Sequence, residues 1–156
     1  KYKGEWLNDL RAKTEGRKTS ARVEDVWVIP CNPKYYDIVG AFSEFDVIEW
    51  NQTTNTTVGD TVFVYVGEKY KSIMFKCEVI AAGLHGNRSQ EDYKFYKDMD
   101  KDPDACYMKL RLVRKYVAGE LPLQELRENG LANVQGRSKV TQQLLKYIIA
   151  NNAKRE

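Results

Sequence analysis

The run Thr61-Val62-Phe63-Val64-Tyr65-Val66, the lysine-bearing turn Gly67 to Lys71 and the stretch Ile73-Met74-Phe75-Lys76-Cys77-Glu78-Val79 decide the fold. The first run is almost wholly β-branched and aromatic, and in the last Ile73, Phe75, Cys77 and Val79 alternate with Met74, Lys76 and Glu78. Two such runs joined by a short polar turn read as neighbouring antiparallel strands. No helix separates them, which argues against a parallel sheet wound with crossover helices.

Upstream, Val58-Gly59-Asp60 is the turn that launches the first run, Asn51 to Thr57 a polar loop, and Phe45 to Trp50 another strand. Before these, Val26 to Ile29 reads as a strand that stops at Pro30, which cannot donate within a sheet interior. Asn32-Pro33 then reads as N-cap and first residue of a helix with Tyr36, Val39, Ala41 and Phe42 on its apolar face. Downstream, residues 83–104 break the pattern with Gly, Asn and acids and predict a long insertion on one side of the sheet, in which Ser89-x-x-Asp92 caps a short helix carrying Tyr93, Tyr96 and Met99. Met108, Leu110 and Leu112 alternate with Lys109 and Arg111, a strand with one packed and one cationic face. Leu121-Pro122 opens a short helix closed by Gly130, and Thr141 caps a last helix with the stripe Leu144, Leu145, Ile148 and Ile149. The expected class is α+β: a curved or barrel-like sheet of five or six mostly antiparallel strands with peripheral helices.

The 156 residues, 42% hydrophobic and 30% charged, suffice for one domain with a real core. That domain is expected over residues 25–156, preceded by residues 1–24 as a short helix on Trp6, Leu7 and Leu10 plus a charged linker. The longest apolar run, Val62 to Val66, is far below the ~20 residues a membrane helix needs, and no signal peptide is visible. Cys31, Cys77 and Cys106 are odd in number and widely spaced, so they read as reduced thiols and the expected compartment is cytoplasmic. A start at Lys and an end inside a helical pattern point to a fragment of a larger protein.

The net charge of +3 sits in residues 1–24, where seven Lys/Arg face four Asp/Glu, leaving 18 of each sign in the rest. Nucleic-acid binding therefore needs a local basic face rather than overall charge. Lys34, Lys69, Lys71, Arg137 and Lys139 sit in loops near strand ends and are the candidate phosphate contacts. A lone histidine, His85, leaves no multi-histidine metal site or HNH-type nuclease centre. Gly130 to Ser138 has the wrong glycine spacing for a phosphate loop, and Arg137 stands where the lysine belongs. Asp98 to Asp104 lacks the glycine and terminal glutamate of a calcium loop. No catalytic residue, metal or cofactor is expected in this segment.

The remaining signal is aromatic: ten Tyr, five Phe and three Trp. Most belong to the core. Trp50 differs, because it ends a strand and is followed by Asn51 and Gln52, which set a large π-face beside two amides that each carry a donor and an acceptor. That combination suits a planar heterocycle, stacked on its face and hydrogen-bonded on its edge.

In order and spacing, Trp27-Val-Ile-Pro-Cys-Asn-Pro33 with Tyr36 and Ile38, Trp50 with Gln52, Val58-Gly-Asp-Thr-Val-Phe-Val-Tyr65, Cys77-Glu-Val-Ile80 and Asn133-Val-Gln-Gly-Arg-Ser-Lys-Val-Thr141 resemble the EVE domain of the PUA-like superfamily, over residues 25–150. Where that family's first strand ends in a Lys-Ser-Glu-Pro-like run, this chain has Pro30-Cys31-Asn32-Pro33. The resemblance implies a small curved β-barrel whose pocket binds a modified base, found alone or fused to nucleases and ATPases of modification-dependent restriction systems. Carried onto this chain, it implies Cys31 and Asn32 at the pocket edge, Trp50 stacked on the base, and Asn51, Gln52 and Tyr65 completing the wall.

The leading expectation is a non-catalytic reader of a modified cytosine or adenine flipped from double-stranded DNA, the specificity domain of a modification-dependent restriction endonuclease whose effector lies elsewhere. An RNA-modification reader and a small-molecule or protein-interaction module are the alternatives.

Overall fold

The computed structural model describes residues 14–16, 18–19, 25–53, 55–89, 91–97, 104–132, 134, 136 and 138–155. The expected helix on Trp6, Leu7 and Leu10 lies outside these residues. Within the expected linker, β1 (Thr14–Gly16) and β2 (Lys18–Thr19) form a two-stranded antiparallel ladder.

The domain is built on six strands: β3 (Val26–Cys31), β4 (Val47–Asn51), β5 (Thr61–Val66), β6 (Ser72–Leu84), β7 (Tyr107–Lys115) and β8 (Ser138–Lys139). Their order across the sheet is β4-β7-β6-β5-β3-β8. All neighbours are antiparallel except β3 and β5, which run parallel with Cys31 opposite Val66. The expected mostly antiparallel α+β sheet is therefore found, but it does not close: among the described residues β4 and β8 are free edges rather than partners in a barrel. Three register shifts in the β6–β7 ladder and one in β5–β6 bend the sheet instead.

β5 is central and covered on both faces, which is why its sequence is an unbroken apolar run rather than an alternation. Its parity divides the core in two. Val62, Val64 and Val66 join Trp27, Ile29 and Cys31 in a cluster with Ile48, Phe75, Leu110 and the helix α1 (Ile38–Glu44). Phe63 and Tyr65 join Val28 on the other face, under α2 (Leu123–Glu128) and α3 (Gln142–Arg155).

Several sequence readings are corrected. β3 continues through Pro30 because β8 pairs only with Trp27 and Val28, so the proline meets no strand on that side. Asn32 does not cap the helix: its Oδ1 accepts the Lys34 N–H and its carbonyl the Tyr35 and Tyr36 N–H groups, closing a turn. The cap is Asp37, whose carboxylate accepts from Gly40 N. The Ser89-x-x-Asp92 helix shrinks to one 3-10 turn, Tyr93–Phe95, without a side-chain cap, and Met99 lies outside the described residues. On α3, capped by Thr141 as expected, Leu144 and Ile148 are buried but Ile149 is 56% exposed. No helix among the described residues is long and apolar enough to cross a membrane.

The Val58-Gly59-Asp60 turn owes its residues to structure. Gly59 takes φ +97°, a left-handed conformation that glycine adopts without strain. Asp60 is fully buried and accepts from the Trp27 indole N–H (3.1 Å), Thr57 N (3.0 Å) and Asp25 N (3.0 Å). One carboxylate thereby ties the entry of β5 to the start of β3.

Candidate functional site

β3 and β4 lie four strand spacings apart in the sheet, about 19 Å if it were flat. Yet their C-terminal ends share a cavity, lined by Pro30, Cys31, Asn32, Tyr35, Tyr36, Trp50, Asn51 and Tyr96. The sheet must curl to bring them together, and the turn after β3 bridges the remaining gap. Tyr36 stands edge-on to Trp50, with ring centroids 5.7 Å apart, and tilts against Tyr96 at 4.7 Å. At about 200 Å³ the cavity is smaller than the ~300–1,000 Å³ of sites for drug-sized ligands, a size suited to one heterocyclic ring system.

The insertion between β6 and β7 completes this wall. Tyr96 pairs with Tyr36 in an isolated bridge, Asp37 N donates to the Phe95 carbonyl, and the Tyr36 hydroxyl donates to the buried Asp92 at 3.3 Å. Burial, reinforced by Asp37, pushes the Cys31 thiol up to about 12. Burial also raises the Tyr36 phenol, with Asp92 adding to it, and takes Tyr96 up to about 12, where Asp92 raises it further and Arg88 opposes. At neutral pH the Cys31 thiol and the Tyr36 and Tyr96 phenols therefore keep their protons, beside an indole and amides.

Cys31, Asn32, Trp50 and Asn51, four of the six residues expected at the base, line this cavity. Gln52 and Tyr65 do not, and for each the reason is physical. Gln52 accepts from Gly83 N at 2.7 Å and donates to the Thr56 carbonyl at 3.2 Å, so its amide holds the loop after β4 in place. Tyr65 has the opposite parity from Val64 and Val66 and projects to the α2 and α3 face. It lines a second hollow of about 490 Å³ with Gly67, Glu68, Lys71, Leu123, Arg127 and Val134, and this hollow shares Pro30, Cys31 and Asn32 with the first.

The expected phosphate contacts divide in the same way. Lys34 rests over the ring of Tyr35, which lines the cavity, and Lys71 lines the second hollow beside Arg127. Lys69 stacks on Tyr70 in the turn between β5 and β6. Lys139 lies opposite Trp27, four residues and about 13 Å down β3 from Cys31, where it pairs with Asp25 at 3.5 Å. It does not join the group. Arg137 is outside the described residues. Sequence reading missed Tyr35, Tyr96 and Arg127, which line the two hollows, and treated Tyr36 as helix core; the Tyr35-Tyr36 pair one residue beyond Asn32-Pro33 was the available signal.

No protein-family model and no curated relative matches the chain by sequence. Solved structures do match it by shape. An ASCH protein variant from Zymomonas mobilis superposes with a TM-score of 0.57 at 12% identity, covering 81% of this chain and 96% of its own. A protein from Leishmania major gives 0.57 at 16% identity, covering 88% of this chain and all of its own. Human THYN1, in complex with DNA containing 5-methylcytosine, gives 0.54 at 14% identity over 81% of this chain and 96% of its own. At such identities the likeness is one of fold: the chain has the PUA-like α+β fold of the ASCH and THYN1 structures.

Proposed function

We propose that residues 25–156 read a modified base, taken out of a DNA duplex into the cavity between Trp50, Tyr36 and Tyr96. The observation that carries this reading is the cavity itself: a ring-sized, uncharged hollow with an indole on one wall and amides on its border. The likeness of fold to THYN1, which is bound to 5-methylcytosine DNA, supports the same class of ligand. Flipping a base costs a few kcal/mol, and stacking returns about 1–3 kcal/mol per base, so edge hydrogen bonds and phosphate contacts must supply the rest. In this reading Lys34, over Tyr35, and Lys71 with Arg127, in the adjoining hollow, hold the flanking backbone.

In this reading the segment is a non-catalytic, EVE-like specificity domain of a cytoplasmic modification-dependent restriction protein, with cleavage carried by an effector elsewhere. The test is fluorescence-anisotropy binding to matched duplexes carrying cytosine, 5-methylcytosine, 5-hydroxymethylcytosine, adenine or N6-methyladenine at one position, with RNA counterparts. A preference of tenfold or more for one modified duplex is expected. Equal affinity across the panel removes the reading, and a preference confined to RNA moves it to RNA modification.

A further inference from the structure

Behind the cavity wall lies Arg88, with 1% of its side chain exposed. Its Nη1 donates to Asn51 Oδ1 at 2.6 Å, its Nε lies 4.0 Å from Glu49, and its guanidinium stacks 4.8 Å from the Tyr107 ring centre. It also hydrogen-bonds the Tyr96 side chain. Two of these partners, Asn51 and Tyr96, line the cavity, so one buried cation holds a whole side of it.

A guanidinium has five donors and no acceptor. The Asn51 atom that faces it must therefore be the carbonyl oxygen, and the amide NH2 is the donor that Asn51 has to offer a ligand. Across the cavity the same logic holds for Asn32, whose Oδ1 accepts the Lys34 backbone N–H at 2.9 Å. Both amides bordering the cavity have their oxygens engaged within the protein.

We infer that Asn51 meets the base as a hydrogen-bond donor and that Arg88 is the positioning residue that fixes this polarity, so that the site takes pyrimidines of the cytosine class and rejects thymine. Cytosine carries an unprotonated acceptor at ring position 3, where thymine carries an N–H; against a fixed donor the second leaves two donors facing one another. 5-Methylcytosine and thymine share the 5-methyl group, so shape and stacking alone separate them poorly. The inference rests on the base-reading function proposed above and adds what sets its selectivity.

Asn51→Asp is the sharpest test, because a carboxylate keeps an oxygen toward Arg88 while replacing the NH2 by a second acceptor. Binding of the 156-residue chain is measured by anisotropy to duplexes with 5-methylcytosine or thymine opposite an abasic position, so that neither base leaves a pairing partner. The wild type is expected to prefer 5-methylcytosine by tenfold or more. Asn51→Asp is expected to bring the ratio to parity or below with no loss of thermal stability. Arg88→Lys keeps a charge beside Glu49 but loses the fork, and is expected to lower the ratio at least threefold. An Asn51→Asp chain that keeps the wild-type ratio, or a wild type that prefers thymine, overturns the inference. A wild type that favours 5-methylcytosine over cytosine while Asn51→Asp leaves the thymine ratio intact sinks this inference alone. A wild type indifferent to 5-methylcytosine against cytosine and to every other modified base sinks the base reading as well.

Discussion

The Tyr36 ring meets the Trp50 indole edge-on, with planes 80° apart and centroids 5.7 Å apart. This contact joins the turn after β3 to the end of β4, at opposite sides of the sheet order. Because the Tyr36 hydroxyl is anchored on buried Asp92, the edge contact holds the indole while Trp50 itself stays only half-buried.

Replacing Trp50 by Ala removes the stacking surface. Stacking worth about 1–3 kcal/mol corresponds to roughly 5- to 150-fold in affinity, so the preference for a modified over an unmodified duplex should fall by that order. Trp50→Phe should retain most of it. Anisotropy titrations of both duplexes check this; an unchanged ratio in Trp50→Ala removes Trp50 from the site.

Lys71→Ala and Arg127→Ala should weaken modified and unmodified duplexes alike and each lower the slope of log affinity against log salt by about 1. Lys139→Ala, remote from the cavity and paired with Asp25, should leave the slope nearly unchanged. Salt titrations of the three variants separate these outcomes, and a Lys139→Ala slope that falls as far as the others contradicts the placement.

Asp60→Ala should cost about 3 kcal/mol or more, because it strips a charged acceptor from the buried Trp27 indole N–H and from two backbone N–H groups. Asp60→Asn should cost less, since one oxygen remains. Urea unfolding midpoints measure both.

Stability should fall as pH rises above 9. The folded chain holds the Cys31 and Cys77 thiols up to about 12 by burial, against 9.0 for the free group. A thiol raised in the folded state ionises first in the unfolded chain. The stability it contributes is thus complete below about pH 9 and lost progressively up to about 12, at roughly 1.4 kcal/mol per group per pH unit. Cys77→Ala should reduce this alkaline slope in thermal melts; an identical slope in the variant assigns it elsewhere.

How far the sequence could be read depended on the range of the interaction concerned. The β5 and β6 hairpin is local: β-branched runs and a short turn specify it, and the ladder from Thr61 to Val66 against Ser72 to Glu78 follows. Trp50 beside Asn51 was equally visible, because both the strand end and the change to amides lie in adjacent residues. Tyr65 was misplaced although the means to place it were present: in a strand buried on both faces, parity alone decides the side, and Tyr65 shares its parity with Phe63 rather than with Val64.

By itself, then, the sequence determined the five strands β3 to β7, most helix positions, the central hairpin and the aromatic residue that lines the cavity, since all are written in periodicity and neighbouring residues, whereas the short strands β1, β2 and β8 carry no such pattern. Only the tertiary structure decided that β3 pairs parallel with β5, that the sheet curls until the ends of β3 and β4 share one cavity, and that Tyr96 and Arg88 arrive from the insertion to complete it. These depend on contacts between segments tens of residues apart, where bulges, burial and the need to pair buried polar groups choose among arrangements that local pattern leaves equivalent.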